Sequence, residues 1–233
     1  MEEEHREERR LRWYRSIAPL VVACAVLALA AAAAGAAGTS APAAAPSAAE
    51  AGFAPGQINP DAPPETAQFG RLAGIWDVDM AIRQDDGSWP KPGEGLKAEW
   101  RFRYILDGWA VQDDWIAPPS EVPVEKGPRQ LGTNIRIYDP AAGKWRIAWI
   151  SNTQKTLSTL EAVAEGEQAE RMVLTGKHPS GHTQRVTFFD IGEDHFEWTL
   201  ELQGLGDDAD AWTEVARIHA TRRGTGGIEP AAE

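Results

Sequence analysis

Cysteine is all but absent from this chain of 233 residues, where Cys24 stands alone. A single thiol excludes an intrachain disulfide framework and any zinc or iron–sulfur site built on several cysteines. Basic charge is also scarce. Against 35 acidic side chains there are 23 Lys and Arg, for a net charge of −12. Electrostatic binding to phosphates needs clustered cations, so no nucleic-acid partner is expected. The catalytic signatures with a local pattern are missing: there is no G-x-S-x-G, no Walker loop and no H-E-x-x-H. Nor is there an amphipathic stretch long enough, beyond the N-terminus, to serve as the crossover helix of a parallel sheet.

What is present begins with a charged N-terminus, residues 1–16, carrying Arg6, Arg9, Arg10, Arg12 and Arg15. An apolar run follows over 17–38, broken only by Pro19 and Gly35. As a helix of roughly twenty residues it would span the ~30 Å core of a bilayer. The basic flank precedes it and no charge follows until Glu50, which puts the N-terminus in the cytoplasm and the remainder outside. Two outcomes stay open. The length of the run favours a retained transmembrane anchor; Ala34-Gly35-Ala36 and Ala41-Pro42-Ala43 suit cleavage of a signal peptide. The remainder is then held at the outer face of the cytoplasmic membrane, or is periplasmic or secreted. Cys24 reads as a small apolar residue within this helix. Residues 39–65 are mostly Ala, Pro, Ser and Gly and read as a disordered linker, because they bury too little to offset backbone entropy. The tail, 224–233, reads the same way.

Between these segments, residues 66–223 carry a different pattern. Thr66–Leu72 is long enough for two turns of helix. From there the period is two: Trp76, Val78, Met80 and Ile82 alternate with more polar neighbours. Asp107-Gly108 separates two alternating runs, a strong hairpin signal through a type I′ turn. Asp139–Gly143 separates two more. Continued to Trp212–Arg222, the pattern gives about ten strands in sequential hairpins. A sheet of that size avoids open edges best by closing, so the expected fold is an all-β, antiparallel up-and-down barrel with a short N-terminal helix.

Gly74-Ile75-Trp76 opens the first strand just after the short helix, and Arg222 and Arg223 close the last. This arrangement resembles the structural signature of the calycin superfamily, which includes lipocalins, fatty-acid-binding proteins and nitrobindin-like haem proteins. Phe69–Trp76, Leu106-Asp107-Gly108, Arg136–Pro140 and Trp145–Ile150 also look like a bacterial family of calycin-like domains. The resemblance implies that Trp76 closes one end of a barrel with Arg222 or Arg223 packed over it, and that these are structural residues. A guanidinium suits an indole face because it is planar, weakly hydrated and cationic. It further implies a haem test at His219, since nitrobindin-like proteins ligate haem through a late histidine; an exposed strand histidine is the alternative. No other cofactor is expected.

The expected function is non-catalytic binding of a small, largely apolar molecule. Trp100, Phe102 and Tyr104 share one strand face, as do Phe196, Trp198 and Leu200; Trp145, Trp149 and Trp109 or Trp115 add aromatic surface. Nine tryptophans lie between Trp76 and Trp212, enough to fill a core by packing alone, so cavity volume separates binding from a filled structural or interaction domain. The resemblance also admits a barrel enzyme of isomerase or cyclase type. Arg136 and Tyr138 form an Arg-x-Tyr pair of the kind that fatty-acid-binding proteins aim at a ligand carboxylate. Alternation favours Ile135 and Ile137 inside and Arg136 toward solvent. Turned inward, Arg136 needs a partner: an anionic ligand, Asp139, Asp113 or Asp114. His178, His182 and His195 lie at two hairpin tips and would bind zinc only if the tips met; Asp207, Asp208 and Asp210 read as turn residues.

Overall fold

The computed structural model describes residues 54–124 and 127–223. The apolar run over 17–38 and the tail lie outside these residues. Among those described, no helix is long and apolar enough to cross a membrane. A five-residue helix, α1 (Thr66–Gly70), precedes ten strands: β1 (Gly74–Ile82), β2 (Leu96–Ile105), β3 (Ala110–Ala117), β4 (Gln130–Asp139), β5 (Lys144–Ser151), β6 (Leu157–Glu165), β7 (Arg171–Lys177), β8 (Thr183–Phe189), β9 (His195–Gln203) and β10 (Trp212–Arg222). Each pairs antiparallel with its neighbour in sequence, and β10 returns to pair with β1, so the sheet is a closed barrel. Closure leaves no strand edge with unmet backbone groups.

The period of two carries through almost every strand. Val78, Ala98, Trp100, Phe102, Trp115, Ile147, Phe188, Phe196 and Ile218 all point into the core. Around Asp107-Gly108 the loop is four residues long rather than two, because Ile105 pairs with Ala110. Leu106, Asp107 and Gly108 all have positive φ, and the amides of Gly108 and Trp109 bond back to Ile105 and Leu106. A side chain on Gly108 would strike Gln57, Ile58 and Asn59. Those residues belong to the stretch expected to be disordered. From residue 54 on, that stretch instead lies on the β2–β3 hairpin: the Tyr104 amide donates to the Pro55 carbonyl at 2.8 Å, and Asn59 Nδ2 donates to the Asp107 carbonyl at 2.9 Å. Composition describes how little this segment buries; backbone hydrogen bonds to a preformed hairpin hold it.

One end of the barrel is sealed. Trp76 is fully buried, and its indole N–H donates to the Leu72 carbonyl at 2.7 Å. The Arg222 guanidinium lies over the ring at 4.1 Å and donates to the carbonyls of Ala73, Arg71 and Glu193. Phe196 meets the other side of Trp76 edge-on at 4.7 Å. Arg222 is therefore the residue that closes the barrel. Arg223 turns outward, where it pairs with Asp77, Glu99 and Glu121. Glu99 is wholly buried within that outer cluster, taking hydrogen bonds from the Ser120 hydroxyl and from Arg101.

Removal of the guanidinium fork should loosen the seal. Arg222→Lys keeps the charge but loses the planar set of bonds to three carbonyls, and should lower the unfolding free energy in urea by about 2 kcal/mol. Unchanged stability would assign closure to Trp76 alone. Glu99 adds a pH dependence. Burial pushes its carboxyl up, but the hydrogen bonds from Ser120 and Arg101 and the charges of Arg101 and Arg223 outweigh that and hold it below its ordinary 4.5. A depressed carboxyl stabilises the fold above the unfolded-state value, and that stabilisation is lost as pH falls through the lower folded value. Glu99→Gln should therefore cost stability at pH 7 and much less at pH 2, measured by denaturant titration at both.

Candidate functional site

The strands run between a sealed end, where α1, Trp76 and Arg222 meet, and an opposite end. Toward the opposite end the inward side chains leave a cavity of about 210 Å³. An engineered apolar cavity of about 150 Å³ is enough to take up benzene, so this space is larger than a single ring requires. The barrel is not a filled core.

Its wall is largely aromatic. Trp100 meets Trp115 and Trp198 edge-on, at 5.4 and 6.5 Å, and Phe188 at a tilt, at 5.6 Å. Trp149 completes the wall from β5, its indole N–H donating to the Gln154 side-chain carbonyl at 2.8 Å. Gly132, near Trp149 on the paired strand β4, makes this placement possible, since any side chain there would run into the Trp149 ring.

At the floor lies a buried charge pair. Arg136 is 1% exposed, whereas Ile135 and Ile137 are 45% and 41% exposed, so the expected orientation of β4 is reversed. The reason is on the neighbouring strand. Asp113, itself fully buried, points inward from β3 and forms an ion pair with Arg136 Nη1. Asn134 Nδ2 donates to both oxygens of the same carboxylate, at 3.2 and 3.1 Å. A buried arginine with its partner two residues away across the ladder outweighs the exposure of two isoleucines on a sheet surface. The guanidinium rests on aromatic rings, 4.9 Å from the centroid of Phe69 and 5.5 Å from that of Phe102. Its Nη1 touches the carboxylate without hydrogen-bond alignment, and its Nε has no partner among the described residues. Nor does the indole N–H of Trp100.

Of the residues picked from sequence, Trp100, Arg136, Trp149, Trp198 and Leu200 come together around the cavity. Phe102, Tyr104 and Tyr138 do not line it. Tyr104 reaches the sealed end, its hydroxyl filling the space beside Gly70, and Tyr138 stacks edge-on with Trp145. Trp145 is likewise committed to the seal, donating to Gln68 and packing on Phe69 at 4.9 Å. Trp109 is at the exposed hairpin tip, so Trp115 is the cavity residue of that pair. His219 faces outward and shares a 2.6 Å hydrogen bond with Glu197, away from the interior where a haem would sit. His178 and His182 lie at the open end, and His195 lies at the sealed end, so the three do not converge. Asp208 accepts from the Asp210 amide at 2.9 Å, as a turn residue does.

Sequence reasoning missed many of the wall residues, Asn134 and His178 among them. Asn134 shares parity with Arg136 and was obscured by the orientation given to β4. His178 was read only as a hairpin tip, yet it borders the cavity mouth. Its Nδ1 accepts from the Ser180 amide at 3.2 Å, which places the neutral ring's proton on Nε2.

The closed ten-stranded barrel, plugged at one end and hollow toward the other, defines a class of architecture that can house a small molecule. Neither a family model nor a curated protein matches the chain. Among solved structures, the S-type phycobiliprotein lyase CPES from Guillardia theta is similar with 8% identity and a TM-score of 0.46, over 67% of this chain and 91% of that one. The redesigned β-barrel mFAP1, bound to DFHBI, shares 11% identity with a TM-score of 0.31, over 66% and 95%. EF1p2_mFAP2b, bound to DFHBI, shares 14% with a TM-score of 0.30, over 68% and 98%.

His178 yields a direct check on the mouth. Burial, with a smaller effect from the charge of His182, pushes its pKa down from 6.5 to about 4. Such a group stabilises the fold above pH 6.5, and the stabilisation is lost progressively as pH falls toward 4. In an NMR titration the His178 ring protons should therefore have a midpoint near 4. The His195 ring, raised chiefly by its hydrogen bond to Asp194, should titrate above 6.5. A His178 midpoint near 6.5 would mean that the mouth is open to water at this point.

Proposed function

We propose that this chain is a calycin-like barrel that binds a small, largely apolar molecule in its cavity and releases it unchanged. The observation that carries the reading is the cavity itself: about 210 Å³ walled by Trp100, Trp115, Trp149 and Trp198. Apolar walls with a few polar groups at fixed places are the usual make-up of small-molecule pockets. The calycin-like assignment rests on the pairing of Arg222 with Trp76, the arrangement that the G-x-W segment and the terminal arginine imply. The polar side chains on the wall, Asn134, Gln154 and Gln184 among them, are set in an otherwise mostly apolar lining.

In this reading the barrel works outside the cytoplasm, exported by the basic flank and apolar run of 17–38, either still tethered or released. The described chain begins on the β2–β3 hairpin at the sealed end.

The test uses N-phenyl-1-naphthylamine, an uncharged apolar fluorophore. Its emission should rise on titration into the protein. Leu200→Trp places a larger ring in the cavity and should weaken the probe roughly tenfold or more while circular dichroism stays unchanged. Equal binding by both proteins would put the probe outside the barrel and remove support for the reading. Native mass spectrometry of the protein as purified would show any ligand retained from the cell.

A further inference from the structure

We infer that the bound molecule enters and leaves through the side of the barrel, at a notch between β6 and β7 beside the open end, rather than along the barrel axis. This rests on the cavity-binding reading above and adds the route to the site. The first observation is where the sheet comes apart. β6 pairs with β5 as far as Leu157, and β7 pairs with β8 as far as Lys177, but the ladder between β6 and β7 stops at Leu160 and Gly176. Leu157 and Ser158 therefore have no ladder partner on β7. The reason is local. A longer ladder would set Pro179 opposite Leu157, and proline has no amide N–H to donate. The His178 amide turns instead to its own hairpin, donating to the His182 carbonyl at 2.9 Å, and the ring is held there by the Ser180 amide.

The second observation is that the inside and the outside of the wall meet at this notch. A groove on the outer face of the sheet runs past Ile135, Ile137 and Leu157. Ser158, Leu160, His178 and Pro179 line both that groove and the cavity. Leu157 is 68% exposed, and Ile135 and Ile137 are exposed with it. Apolar side chains left bare beside an opening give an apolar molecule a surface to cross. The third observation is that the other half of the open end is packed. Ala98, Ala117, Leu202 and Ala216 are the inward residues near that end of β2, β3, β9 and β10. All four are buried, and none of them lines the cavity. The side of the barrel that lacks this packing is the side where the ladder stops short.

The experiment closes the notch from outside. Leu157 and Lys177 are exposed and line the groove but not the cavity. The double variant Leu157→Cys, Lys177→Cys can be bridged by a short bismaleimide, with Cys24→Ser removing the other thiol. Stopped-flow fluorescence of N-phenyl-1-naphthylamine with the full-length protein reads association and release. The bridge should slow both by about tenfold or more and leave their ratio, the Kd, within about threefold. The unbridged double variant should keep the rates of the Cys24→Ser protein. A control bridge in Asp79→Cys, Lys97→Cys joins β1 to β2, which already pair at these residues, and should change neither rate. Rates unaffected by the bridge over the notch, rates slowed as much by the control bridge, or release that speeds up alone would each overturn the route while leaving cavity binding intact. No response to the probe in the unaltered protein overturns the cavity-binding reading and this inference with it.

Discussion

Closure of the hydrogen-bond ladder between β1 and β10 is the constraint on which the rest of the structure depends. Once the sheet has no free edge, each strand's side chains alternate between a sealed interior and solvent, with no third option. A barrel of about eight strands has an interior that side chains just fill. Ten strands enclose more space than that, and the excess must be met by larger side chains, by a plug or by a cavity. This chain uses all three. Tryptophan and phenylalanine supply bulk, α1 and Phe69 plug one end, and the remaining volume lies toward the other.

The two ends divide the work. The sealed end concentrates interactions that a ligand never meets: the Trp76 indole on the Leu72 carbonyl, the Arg222 guanidinium over that ring, and Tyr104 against Gly70. Each satisfies a polar group or fills a space left by the incoming helix. The open half holds the aromatic wall of the cavity, with Trp149 and Asn134 fixed by hydrogen bonds to Gln154 and Asp113. Trp100 belongs to both halves. Its ring packs on Phe102 toward the seal and on Trp115 and Trp198 toward the cavity, while its N–H is left unspent.

The Arg136–Asp113 pair shows why one-dimensional periodicity can be correct about a strand and wrong about its faces. On β4 both choices look plausible, since Ile135 and Ile137 would fill a core and Arg136 would solvate. The orientation is decided by β3, where Val111, Asp113 and Trp115 must share a side. With Val111 and Trp115 inward, Asp113 is inward too, and a buried carboxylate requires a cation within reach. Arg136 is opposite Val111, two residues along the ladder from Asp113 and on the same face. The isoleucines are left on the outside, partly covered by cross-strand neighbours such as Ala148 opposite Ile135.

The sequence alone determined the strands and their antiparallel order; the family resemblance implied a closing contact of Trp76 with Arg222 or Arg223. Alternation and turn residues are local signals, and β1 and β10 begin and end within two residues of the Trp76–Ile82 and Trp212–Arg222 runs that those signals mark. It also singled out the aromatic residues of β2 and β9 as inward-facing, because in those strands the apolar and polar faces are cleanly separated. Only the tertiary structure decided which inward residues reach the cavity and which belong to the seal. Phe102, Tyr104 and Tyr138 have the right parity, but their height along the barrel puts them below the cavity, and height depends on register and stagger. The same holds for the choice of Arg222 over Arg223, the separation of His195 from His178, and the inward turn of Arg136. Each is a relation between residues on different strands, and a period read along one strand contains no information about its neighbour.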